Sequence, residues 1–83
     1  MERTAFGALE LNSVGRGLEA CDAMLKAAKV ELVRAMPICP GKYIILIKGK
    51  VDEVAAAVKA GQKVAGDYFI DQVVLPDIHP QVF

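Results

Sequence analysis

Residues 42–48 read KYIILIK, and the reading of this stretch decides the fold. Its middle is β-branched and almost continuously apolar, the pattern of a strand that lies inside a sheet, not at its edge. Gly49-Lys50 breaks it on the C-terminal side. Beyond the break Val51, Val54, Ala55, Val58 and Ala65 recur at helical spacing, with Asp52 and Glu53 in the first turn and Lys59 and Lys63 further on. That charge order suits the helix macrodipole. Gly66 ends the helix, Ile70 to Leu75 (IDQVVL) reads as a last strand, and Pro76 stops it. On the N-terminal side PICPG, residues 37–41, reads as a turn. Before it Val30 to Met36 (VELVRAM) alternates as a strand, Val30, Leu32 and Arg34 against Glu31, Val33 and Ala35. Further back Val14, Leu18, Cys21, Leu25 and Ala28 mark the apolar face of a helix that Asn12 or Ser13 can cap. Thr4 to Leu11 is the first strand, with Phe6, Ala8 and Glu10 on one side and Ala5, Gly7, Leu9 and Leu11 on the other.

The order is therefore βαββαβ. It predicts an α+β domain of the ferredoxin-like, split βαβ kind, a four-stranded antiparallel sheet with both helices on one face. That scaffold carries many unrelated functions, so function has to come from sites.

The bulk properties narrow the classes. Eighty-three residues make one domain, 1–83, with a high ratio of surface to volume. Fifty-four per cent of the residues are apolar, with no tryptophan, and a chain this short has little interior for so much apolar surface. The surplus predicts a homo-oligomer. Ten basic and ten acidic residues cancel without forming blocks, which recommends neither nucleic acid nor an anionic membrane as partner. The longest apolar run, Tyr43 to Ile47, is too short to span a bilayer. The N-terminus lacks a secretory pattern, so the expectation is a cytoplasmic protein in which Cys21 and Cys39 form no structural disulfide. No Ser/His/Asp set, carboxylate pair in a cleft, P-loop or Rossmann glycine pattern is present, and the chain reads as a non-enzyme.

The stretches GALELNSVGRGLEACDAMLKAAKVELV, YIILIKGKVDEVAAAVKAG and VVLPDIHP resemble the bacterial microcompartment shell-protein domain, over residues 4 to 80. DAMLKAA followed by a strand, and the helix opening after KGKVDEV, are the specific parts. The resemblance implies a tile of a proteinaceous shell around metabolic enzymes. Such a tile is a flat disc with six-fold or pseudo-six-fold symmetry, joined edge to edge with other shell proteins and pierced by a pore. The turn between the second and third strands would line that pore: Pro37, Ile38, Cys39, Pro40, Gly41 and Lys42 in this sequence.

CPGK, residues 39–42, is similar to a tandem-domain, trimeric branch of the family, the iron–sulfur shell proteins of propanediol-utilisation compartments. In that branch a pore cysteine binds a [4Fe–4S] cluster through three symmetry copies. Only Cys39 carries this over. Axial repetition would bring several thiolates together where one chain offers one, and thiolates are the usual ligands of such clusters. Pro40 and Gly41 would shape the turn, and Lys42 would offset the charge of a thiolate-bound cluster. The relatives in this branch have two such domains per chain, so this sequence is half of a tandem protein, a natural one-domain tile or an engineered domain. Six copies would place six thiols on one axis, twice what a three-liganded cluster uses. The plainer alternative is a pore bordered by a small residue, open to small polar metabolites and free of metal. From another class comes a small regulatory or ligand-binding domain on the same scaffold, a dimer with a pocket.

Three further residues belong to the expected tile edge. Lys26 falls where the family places its edge lysine, the alternative being a solvated helix lysine. Many relatives carry an arginine after the last strand's proline; here that position is Asp77, which makes the edge less basic. His79, between Ile78 and Pro80, reads as a packing or edge residue. Cys21, on the apolar helix face, reads as a core residue.

Overall fold

In the computed structural model, which describes residues 4–38 and 40–75, strict alternation sets the first layer. Strand β1 (Ala5–Leu11) buries every second residue, Ala5, Gly7, Leu9 and Leu11. Strand β3 (Lys42–Gly49) does the same with Tyr43, Ile45 and Ile47. Paired antiparallel from Ala5↔Gly49 to Leu11↔Tyr43, the two strands form the centre of the sheet. Strand β2 (Val30–Ile38) joins the outer edge of β3, and β4 (Phe69–Leu75) joins β1, giving the order β2-β3-β1-β4 with every neighbour antiparallel. Helices α1 (Val14–Ala27) and α2 (Val51–Ala65) cover one face, α1 over β2 and β3 and α2 over β1 and β4. This is the α+β, βαββαβ architecture expected from the sequence.

Sheet and helices close because small residues line the contact. Gly17 of α1 lies against the Tyr43 ring, where a β-carbon would come within 2.5 Å of Cδ2. Gly61 of α2 lies against Met24 of α1, where a β-carbon would meet the thioether sulfur at 2.6 Å. Leu9, Leu11, Met24, Ile45, Ile47 and Val54 fill the space between and are wholly buried. No polar or charged side chain among the described residues is buried with them. Burial of each such side chain contributes about 1.5–3 kcal/mol.

The helices present other faces than hydropathy alone predicts. α1 buries Gly17, Ala20 and Met24, whereas Val14, Leu18 and Leu25 of the expected apolar face stay exposed, Leu18 at 58%. Cys21 and Ala28 are half-buried at the margin of the core. In α2 Val54, Val58 and Ala65 are buried as expected, joined by Ala57 and Gly61, while Val51 and Ala55 are exposed. In α1 the physical reason is its close approach to the sheet. Close approach selects small side chains, and the larger apolar ones are left at the flank.

Capping and turns follow the sequence closely. Ser13 caps α1, its hydroxyl accepting from the Arg16 N–H at 3.1 Å. Gly66, at φ +54°, closes α2 by donating its N–H to the Gln62 carbonyl, and one 3-10 turn, Gly66–Tyr68, leads into β4. The second strand differs in two ways. It runs on through Pro37 to Ile38, which an edge strand permits because proline's missing N–H costs no ladder bond there. A bulge between Leu32 and Arg34 shifts its register. Arg34 therefore pairs with Leu46 and Ala35 with Ile45, so Arg34 lies on the uncovered face and Ala35 on the core side, the reverse of simple alternation.

Candidate functional site

The 37–42 segment is a hairpin tip. Ile38↔Lys42 is the last pair of the β2–β3 ladder, so the connection shortens from the five-residue turn read in the sequence to residues 39–41. Pro37 and Pro40 are exposed and Ile38 is half-buried. Gly41 sits at φ +70°, the left-handed conformation with which three-residue hairpin loops commonly close. Glycine adopts it without strain, which is the local reason for PG at this point. Cys39 lies outside the described residues.

Lys42 follows directly on the tip. Its ammonium lies 4.0 Å from the Glu10 carboxylate, across the uncovered face of the sheet, where it balances a charge of its own chain. Lys26, in the last turn of α1, is exposed and holds Asp22 one helical turn back at 2.8 Å. The hydrogen bond to Asp22 and its charge push the Lys26 pKa up. Burial, with the Asp22 charge adding to it, pushes the Cys21 thiol up. Asp77 and His79 lie outside the described residues.

Topology separates these residues. β1 and β2 run in the same direction and α1 returns between them, so the hairpin tip is at the end of the domain where α1 begins. Lys26 is at the opposite end, roughly 20 Å away along a helix of this length. Beside that far end lies an open cleft of about 520 Å³ between Lys29, Lys48, Lys50 and Glu53. The Lys29 N–H donates to Glu53 Oε1 at 3.0 Å across it.

Two apolar surfaces remain outside the core. One is the flank formed by Leu18 and Leu25 of α1 with Leu32 and Val33 of β2. The other is the uncovered sheet face, with Phe6, Ile44 and Leu46 half-buried and Met36, Val73 and Leu75 exposed at 37–45%. Alternation along the strands could have signalled the second. The first was hidden, because its leucines looked like core.

Among the described residues no group of three or more His, Cys, Asp or Glu side chains is placed to hold a metal. Iron–sulfur clusters are held by several thiolates, so Cys39 would fit one only where several copies of the chain each contribute it. No helix is long and apolar enough to cross a membrane.

The structure is thus a helix-backed sheet with a hairpin tip at one end and apolar side chains left outside its core. The chain belongs to the bacterial microcompartment (BMC) domain family, whose model matches residues 5–78. It is 47% identical over 78 residues to the bacterial microcompartment shell protein PduT of Citrobacter freundii, covering 94% of this chain and 42% of that protein. It is 33% identical over 81 residues to the major carboxysome shell protein CsoS1A of Halothiobacillus neapolitanus, covering 94% of this chain and 83% of that one. A crystal structure of a microcompartment protein from Desulfitobacterium hafniense superposes with a TM-score of 0.93 at 51% identity, over 96% of this chain and 44% of the other. The chain therefore spans less than half the length of two of these three relatives.

Proposed function

We propose that this chain is a structural tile of a bacterial microcompartment shell in the cytoplasm, its copies arranged in a ring around an axis that passes the 37–42 hairpin tips. The observation that supports this best is the pair of dissimilar apolar surfaces on a domain that matches the shell-protein family over residues 5–78. A closed ring needs two different, mutually fitting surfaces on each subunit, whereas a two-fold dimer uses one surface twice. The ring contains six chains if each brings one domain, and three if the domain is one of two in a longer chain. Single domain, pore and edge are parts of the same reading. Pro37, Ile38, Cys39, Pro40, Gly41 and Lys42 border the pore. Lys26, Asp77 and His79 meet neighbouring shell tiles, with encapsulated enzymes on one side of the shell. The chain itself does no catalysis.

The Cys39 thiolates of neighbouring copies would hold a [4Fe–4S] cluster. When bound, the cluster supplies one-electron redox chemistry, which suits electron transfer across the shell. The chain's own part is to fix the tip with the Gly41 turn and the β2–β3 ladder. Anaerobic purification and an absorption spectrum test this. The expected result is a broad thiolate-to-iron band near ~400 nm that vanishes in Cys39→Ser. A protein that stays colourless after anaerobic iron–sulfide reconstitution excludes the cluster and leaves a tile with an open pore for small polar metabolites. A dimer with a bound small molecule would instead point to a regulatory domain.

A further inference from the structure

The charges on the uncovered sheet face are arranged in rows, and two of them are left over. Cross-strand partners share a face, so the register defines each row. The row nearest the hairpin tip contains Met36, Ile44, Glu10 and Asp71; the next contains Arg34, Leu46, Ala8 and Val73; the third contains Glu31, Lys48, Phe6 and Leu75. Two ion pairs neutralise the middle of the face, Lys42–Glu10 at 4.0 Å and Lys48–Glu31 at 3.2 Å. What remains is Arg34 on edge strand β2 and Asp71 on edge strand β4, on opposite sides of the same face. Both are exposed, and neither has an ion-pair partner among the described residues. Asp71 accepts the Gln72 N–H at 2.8 Å, which fixes its carboxylate at the β4 edge.

We infer that the uncovered face of one chain seats the β2 side of a second copy, and that Arg34 of that copy pairs with Asp71, setting which way round the subunits join. The inference rests on the ring reading above. Rotation about an axis keeps every residue at its own distance from that axis, so groups that meet across a ring contact come from the same or adjacent rows. Arg34 and Asp71 are one row apart, roughly 7 Å along a strand, a distance that an arginine side chain spans. Around the pair, Leu32 and Val33 of the β2 side are apolar partners for Val73 and Leu75 at the β4 side. A contact of this kind is one-directional, because a + edge meets a − edge only when every subunit faces the same way round the ring. Two β2 edges brought together would oppose Arg34 with Arg34, which disfavours the two-fold dimer.

Charge reversal tests the pairing. The variants Arg34→Glu, Asp71→Arg and the double exchange are made in the intact chain, and the concentration at which rings half-assemble is read by light scattering. Circular dichroism checks that each variant is folded; if a reversal fails to fold, Arg34→Gln and Asp71→Asn replace it. Each single reversal is expected to raise the half-assembly concentration about tenfold or more, and the exchange to return it to within about threefold of the parent. The neutral variants are expected to lie in between and to lose the salt dependence of the parent. Single variants that assemble like the parent, or an exchange no better than the worse single, overturn the pairing while the ring itself stands. A parent chain that is monomeric or dimeric at every concentration overturns both.

Discussion

The two faces of this sheet are made by the same four strands and meet opposite fates. On the covered face Leu9, Ile45 and Ile47 are wholly buried, and the helices are drawn in by glycine at two contacts. On the other face apolar residues stand among the charges Glu10, Glu31, Arg34, Lys42, Lys48 and Asp71, and Val73 and Leu75 remain 45% and 44% exposed. The charges suit a wet face, but the exposed Met36, Val73 and Leu75 between them leave apolar surface for a partner to cover. The difference separates two jobs: the covered face makes the domain fold, and the open face, in the ring proposed above, makes it assemble.

The comparison breaks most visibly on the covered side. Ile45→Ala removes a fully buried side chain from the central strand and is expected to cost about 2–5 kcal/mol, read by urea unfolding at fixed chain concentration. Gly17→Ala drives a methyl group into the Tyr43 ring, which the adjoining backbone holds in place, and is expected to cost about 1–3 kcal/mol. A smaller loss, about 1 kcal/mol, is expected for Ser13→Ala, which strands the Arg16 N–H at the start of α1. The open side should behave in the opposite manner. Val73→Lys is expected to change the stability of the dilute monomer by less than ~0.5 kcal/mol while shifting the assembly towards monomers by sedimentation. Lys26→Ala is expected to leave the thermal midpoint where it was and to weaken only edge-to-edge arrays in electron micrographs; normal arrays would reduce Lys26 to a solvated helix lysine.

Much of this was legible in the sequence, and the exceptions have physical causes. KYIILIK announced a central strand because β-branched residues apolar on both faces fit only there, and β3 is indeed flanked by β2 and β1. Ser13 and Gly66 announced the ends of helices through hydrogen-bonding capacity and a positive φ. The inner face of α1 was misread because hydropathy ranks leucine above glycine and alanine, whereas close packing on Tyr43 demands the reverse. The position of Arg34 was hidden by a bulge, which adds one residue without altering composition. The Lys42–Glu10 pair was not legible because Glu10 lies on β1, far from Lys42 in the chain. Long-range pairing of that kind emerges only once the sheet register is known.

Mass in solution tests the central claim, that the open face exists for assembly. Light scattering on the intact chain across a hundredfold range of concentration, about the span that resolves a 2.7 kcal/mol difference, is the direct measurement. The account predicts a closed ring, six chains or three if each holds two domains, that persists on dilution. A particle that stays a monomer or a dimer throughout contradicts it.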